Sequence, residues 1–225
     1  MNSTALRVGL LSCALSLAAV SVSAKTLQVS ITNNAPSDGL FLTPLVSLFH
    51  DGSVDTFDTG TLASDNLSPP VDGNQGSLEA LAEDGIAGGV LDDAAQPGSG
   101  VVAAGVVLGP DGFDGAPVID PGETATERFR VSASGDIFFS YLSMIIPSND
   151  IFVGNNNPEA WQVFADGVFA GPITFAVTRA YDAGTEANNG EGAAFSNGNP
   201  STDTNEVITF VPEVTDQLGL TRAKG

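Results

Sequence analysis

Basic residues are scarce in this chain: 7 Lys and Arg stand against 27 Asp and Glu, a formal net charge of −20. Arg7 lies near the start, and Lys25, Arg222 and Lys224 lie near the ends of the rest, so Arg128, Arg130 and Arg179 are the cations left inside. A nucleic-acid binder displaces counterions from phosphate with clustered cations, and no such cluster exists here. The same deficit excludes attraction to anionic membranes and sulfated sugars. Cysteine is present once, as Cys13, and histidine once, as His50. No Ser–His–Asp arrangement, HExxH zinc helix or phosphate-binding Gly loop can be assembled, so no catalytic residue is assigned and an enzyme is not expected. His50, alone beside a strand end, reads as structural.

Long apolar runs are also missing, with one exception at the start. Arg7 forms a short positive n-region, Val8 to about Val22 is apolar apart from small residues, and Val22-Ser23-Ala24 supplies a cleavage site before Lys25. The run is Ala- and Ser-rich and shorter than the ~20 residues of a spanning helix. Residues 1–24 are therefore expected to be a signal peptide, and 25–225 one exported domain, secreted or periplasmic, with no transmembrane segment. Leu10-Leu11-Ser12-Cys13 loosely resembles a lipid-attachment box, but Cys13 sits in the middle of the apolar run. Its removal leaves a mature chain with no thiol, no disulfide and six basic residues against 27 acidic ones, a charge of −21. Such a domain is held by its core, or by its core and a metal. The acidity has two readings: like charges keep an exported protein dispersed, or some carboxylates are neutralised by a bound cation.

What is there reads as strands. Leu27, Val29 and Ile31 alternate with polar residues at period two, as in a half-buried strand. Phe129 and Val131 alternate with Arg128 and Arg130, which places both arginines in solvent. Ile137 to Ile146 is nearly continuous apolar, as in a central strand covered on both faces. Trp161–Phe164 and Val168–Phe169 flank Asp166-Gly167, a hairpin-turn signal. Val101–Leu108, Ile173–Val177 and Val207–Val211 complete the set. One short helix is expected where Ser77 caps a run with Leu78, Leu81 and Ala82 on one face and Gly85 stops it. Long Gly/Pro/Asn/Asp/Ser tracts cover about Asp51–Gly76 and Gly184–Asn205. The expected fold is all-β, an antiparallel β-sandwich with long loops and one short helix.

Two segments could carry chemistry. Ser143-Met144-Ile145-Ile146-Pro147-Ser148-Asn149-Asp150-Ile151-Phe152-Val153-Gly154 leaves the central strand, turns, and presents Asp150 before another strand. Tyr181-Asp182-Ala183-Gly184-Thr185-Glu186 ends a strand in a turn with carboxylates four apart, and Gly184 allows the bend. A hard cation such as Ca²⁺ takes six to eight oxygens, which loops at one end of a sandwich can supply. Asp in a turn also commonly bonds its own backbone, so spacing alone leaves both readings open. Arg179 has the parity of Ile173, Phe175 and Val177; it either pairs with a carboxylate or marks where the strand leaves the core.

These two motifs together resemble the spondin N-terminal domain family. Phe41-Leu42-Thr43-Pro44 with His50, and Leu78-Glu79-Ala80-Leu81-Ala82-Glu83-Asp84-Gly85, resemble its bacterial branch, and the resemblance covers about residues 26–212. It implies a β-sandwich resembling the calcium-dependent phospholipid-binding modules, with Ca²⁺ at one end. By the family's pattern the metal ligands fall on Asp150, Asp182 and Glu186. Asn149 and Ile151 replace the proline and tryptophan of the family's turn, and Glu186 replaces an aspartate, which alters the geometry more than the donor chemistry. The matrix attachment of animal members relies on further domains, and that role is not carried over. The resulting expectation is an exported Ca²⁺-binding module with a binding or adhesion-type role toward an unidentified extracellular or cell-surface ligand. The alternatives are a purely structural acidic protein without metal and an extracellular carboxylate-dependent hydrolase.

Overall fold

A computed structural model describes residues 24–70, 74–110, 117–189 and 202–212. The expected signal peptide falls outside the described residues except for Ala24, as does part of the second long loop tract. In chain order the elements are β1 (Lys25–Thr32), β2 (Phe41–Leu42), β3 (Leu45–His50), a 3-10 turn (Ala63–Asp65), α1 (Ser77–Asp84), α2 (Gly88–Ala94), β4 (Val101–Val107), β5 (Thr124–Val131), β6 (Ile137–Ile146), β7 (Ile151–Gly154), β8 (Gln162–Ala165), β9 (Val168–Phe169), β10 (Ala180–Asp182) and β11 (Thr209–Phe210).

The strands form an antiparallel β-sandwich. Among the described residues its large sheet has nine strands with the order β11-β10-β7-β6-β3-β4; β2 and β8 pair with β6, and β9 pairs with β8. Its second layer is the pair β1-β5. Alternation divides the large sheet's side chains between two cores. Leu45, Phe49, Phe139, Tyr141 and Val153 face the β1-β5 layer and pack with Phe129 and Val131, while Leu27, Val29 and Ile31 close over them half-buried. Val46, Leu48, Leu142, Phe152 and Tyr181 face the other way, onto Leu78, Leu81 and Val90 of the helices and Phe57 of the long loop. Covering on both faces is why β6 is apolar almost without a break.

Arg128 and Arg130 are exposed on β5, as their alternation requires. The Asp166-Gly167 hairpin forms with positive φ at both residues, 49° and 76°.

The expected short helix forms as α1, and among the described residues a second, α2, follows it; three further expectations are corrected. α1 starts after Gly76, whose N–H donates to Glu79 Oε2 at 3.2 Å, so Ser77 is its first residue and not its cap. It stops at Gly85 with φ 66°, as expected. The additional helix, α2, begins with Gly88-Gly89, poor helix formers. Gly89 is there for packing: a Cβ on it would lie 2.8 Å from Ser77 Oγ, so the helix pair closes only around a glycine. The residues Ile173–Val177 alternate but form no ladder, and the last strand is confined to Thr209–Phe210.

Among the described residues no helix is long and apolar enough to cross a membrane.

Candidate metal centre

Strand ends bring the two predicted segments together. β7 pairs antiparallel with β10, with Ile151 opposite Asp182, so Asp150 and Ala183 follow at one edge of the sandwich. Phe57, Phe152 and Tyr181 lock this pairing from below: the Phe57 ring lies 4.9 Å from Phe152 and 4.7 Å from Tyr181. The turn between β6 and β7 contains a cis Ile146–Pro147 peptide. Ser148 Oγ donates to the Ile145 carbonyl at 2.6 Å and accepts from Ile151 N–H at 3.1 Å, which fixes Asp150 between them.

Asp150 is completely buried. Its Oδ2 accepts from the N–H of Thr185 at 2.8 Å, the N–H of Glu186 at 3.1 Å and the Thr185 hydroxyl at 3.3 Å. Its carbonyl accepts from Ala183 N–H at 3.1 Å. Its Oδ1 is buried with no hydrogen-bond partner among the described residues. Burial pushes the Asp150 carboxyl up to about 6, the Asp182 charge pushes the same way, and the Glu186 and Thr185 bonds pull back.

Gly184 makes the receiving turn possible. Its φ is 70°, and a Cβ there would lie 2.6 Å from the Glu206 carbonyl oxygen. Gly184 O accepts from Glu206 N–H at 2.8 Å, and Thr185 O from Thr204 N–H at 2.7 Å, so the turn is also held from behind. Asp182 lies beside it, with Oδ1 accepting from Gly184 N–H at 2.8 Å and Oδ2 from Asn188 Nδ2 at 2.7 Å. This is the backbone-bonding role that turn aspartates often take. Asn149 Nδ2 donates to the Glu186 carbonyl at 3.2 Å, tying the two turns together. Glu186 itself is buried, at 6% exposed.

A fourth acid completes the neighbourhood. Glu83, in the last turn of α1, is 8% exposed. Burial raises its carboxyl to about 7, and the charges of Glu186, Glu79 and Asp150 add to this, against a hydrogen bond from the Thr185 side chain. Gln75 Nε2 donates to its Oε2. Sequence reasoning did not assign Glu83, because it follows the apolar face of a helix and no short-range pattern marks it. The one available signal was a helix carrying three acids and no base.

Glu83, Asp150, Asp182 and Glu186 thus form a buried acidic group. Arg179, the nearest interior cation along the chain, is exposed just before β10, its guanidinium 5.8 Å from the Phe210 ring. The donors are all hard oxygens, which fits Ca²⁺ or Mg²⁺ better than a soft metal. The orphaned Oδ1 of Asp150 fits a cation, since a buried carboxylate oxygen otherwise goes unsatisfied. Among the described residues, however, no group of three or more His, Cys, Asp or Glu side chains is gathered tightly enough to hold an ion as it stands. Asp182 in particular spends both oxygens on its own turn.

His50, far along the sheet from this end, is fully buried. Its Nδ1 accepts from Gly52 N–H at 3.1 Å, so the proton is on Nε2, which donates to Ser140 Oγ at 2.9 Å. Burial lowers its pKa, against a smaller raising effect of Asp51, and favours the neutral ring.

No family model matches the sequence, and no curated protein matches it.

Proposed function

We propose that this chain is an exported, Ca²⁺-binding β-sandwich module whose acidic end faces an extracellular or cell-surface ligand. The observation that carries this reading is Asp150 Oδ1, fully buried and without a hydrogen-bond partner among the described residues, beside Glu83, Asp182 and Glu186. Several buried carboxylates with no basic side chain among them have two ways to lower their energy: take up protons or take up a cation. Near neutral pH a divalent cation competes with the protons on Asp150 and Glu83. Asp150, Glu83 and Glu186 would hold it, with backbone carbonyls of the two turns and water completing the shell; Asp182 would hold the Gly184 turn in place. The signal-peptide features of residues 1–24 support export, and the two-motif resemblance to spondin N-terminal domains supports the choice of Ca²⁺.

The test is metal content of the purified protein together with melting in Ca²⁺ and in chelator. At free Ca²⁺ between one and ten times Kd, linkage gives about 0.4–1.4 kcal/mol of stabilisation. An unchanged midpoint and no bound metal would sink the proposal.

A second reading has its own observation. Three donors already converge on Asp150 Oδ2, so Asp150 also works as a latch between the two turns without any metal. That reading expects indifference to chelator.

A further inference from the structure

The two strands of the smaller layer are buried unequally on one shared face. On β5 the inward residues Ala125, Phe129 and Val131 are 1%, 6% and 0% exposed. On β1, Leu27 and Ile31 stand opposite Phe129 and Ala125, with Val29 between them, yet all three stay only half-buried. The cause is a cavity of about 850 Å³ beneath β1. Every residue of β1 lines it, 171–177 form a second wall, and Phe49, Phe139 and Tyr141 of the large sheet lie on its floor. Trp161 also lines it, stacked on Phe175 at 3.9 Å between ring centroids. Phe169 and Ile173 carry the lining out to solvent, at 43% and 38% exposed. Protein interiors are otherwise close-packed, with few voids larger than a water molecule, and a volume of this size lies within the range of small-molecule sites.

Shape and charge narrow the occupant. The 8 residues of β1 give the cavity a wall about 23 Å long at the rise of an extended strand. A compact ring system would fill one part of such a cavity, whereas an extended acyl chain follows all of it. The chain carries 27 acids, but none of the described lining residues is Asp or Glu. Glu127 shares the inward face of β5 but is exposed and does not line the cavity. The one charged lining residue is Lys25, which has the parity of Leu27, Val29 and Ile31 and so stands on the inward face at the first position of β1. In a strongly acidic protein, a long apolar cavity with a lysine at one end and no carboxylate in its walls complements a single-chain amphiphile with an anionic head.

We propose that this cavity binds one long-chain fatty acid, its acyl chain lying between β1 and the aromatic floor and its carboxylate at Lys25. None of Glu83, Asp150, Asp182 and Glu186 lines the cavity, so the proposal stands or falls independently of the metal reading.

Trp161 is the only tryptophan and reports on the cavity directly. The full chain is titrated with laurate, myristate and palmitate below their micelle concentrations, in Ca²⁺ and in chelator, following Trp161 emission, its quenching by acrylamide, and heat. The expected result is saturation at one fatty acid per chain in both conditions, with acrylamide quenching reduced at least twofold. Each two-carbon extension should tighten Kd roughly tenfold, as burial of two methylenes requires. Lys25→Gln should weaken myristate roughly two- to fivefold and leave tetradecanol unchanged, which isolates the head group. Val29→Phe and Ile31→Phe each place a ring in the cavity; the variants that melt no lower than the parent should bind myristate at least tenfold more weakly. Absence of saturable binding, an affinity indifferent to chain length, or filled variants that bind as the parent does would each overturn the proposal, the last in favour of surface adsorption. Equal loss of the acid and the alcohol in Lys25→Gln would overturn the assignment of the carboxylate.

Discussion

Asp150 accepts the backbone N–H of Glu186 at 3.1 Å across 36 positions of sequence, while its own second oxygen is buried with no partner among the described residues. One carboxylate therefore holds the two acidic turns together and leaves the site unsatisfied. Mutation and pH separate these two contributions.

Asp150→Asn and Asp150→Ala are expected to differ. Asparagine keeps an oxygen for the Thr185 and Glu186 N–H groups but loses the charge, so the protein folds and its melting becomes insensitive to Ca²⁺. Alanine also orphans those N–H groups and is expected to lose about 2–4 kcal/mol in chelator, given that buried donors left without an acceptor cost roughly 1–3 kcal/mol each and their losses are not additive. Denaturant melts with and without Ca²⁺ measure both. Equal behaviour of the two variants would remove the latch role.

The chelated protein is expected to lose stability as pH rises from about 4 to about 7. The carboxyls of Asp150, near 6, and Glu83, near 7, are raised above their ordinary values. In this interval the folded state binds protons that the unfolded state has released, so the stability slope is negative. Ca²⁺ displaces those protons and should flatten the slope, making its stabilising effect larger at pH 7.5 than at pH 5. Glu83→Gln removes one titrating group and should flatten the chelated profile by itself. A Ca²⁺ effect independent of pH would contradict the site.

His50 acts in the opposite sense. Its folded pKa lies below 6.5, so as pH falls through that value the unfolded state gains a proton that the folded state resists, and stability is lost toward acid. His50→Gln should remove this loss and steepen the gain in stability that the carboxylates give between pH 7 and 5. An unchanged profile between pH 5 and 6.5 would count against the buried neutral ring.

Gly184→Ala is expected to cost about 2–4 kcal/mol. A positive φ disfavours any Cβ by about 1 kcal/mol, and the added carbon would lie 2.6 Å from the Glu206 carbonyl oxygen. Gly60→Ala is the control: its φ is 88° and nothing lies within 4 Å of the added carbon, so only the conformational part applies. Equal losses would mean that the Glu206 contact moves aside freely.

The sequence by itself determined the class of fold. Period-two alternation at Leu27, Val29 and Ile31, the unbroken apolar run of β6 and the Asp166-Gly167 turn are local consequences of strand geometry, and each appears where its pattern puts it. The meeting of Asp150 with the Asp182–Glu186 turn was legible through its motifs, and the structure brings the backbones together. Tertiary structure decided the rest. Whether alternation becomes a ladder depends on a neighbour, and Ile173–Val177 has the pattern but no partner among the described residues. A Gly-Gly helix start is unfavourable locally and forms because the packing of α2 on α1 requires a missing side chain at Gly89. Glu83 joins the acidic group through the docking of a helix, over a sequence distance that no short motif spans. Burial, and with it the raised carboxyls of Asp150 and Glu83, is a property of the packed whole; the charge count of the chain could state how many acids there are, but not which of them lose their water.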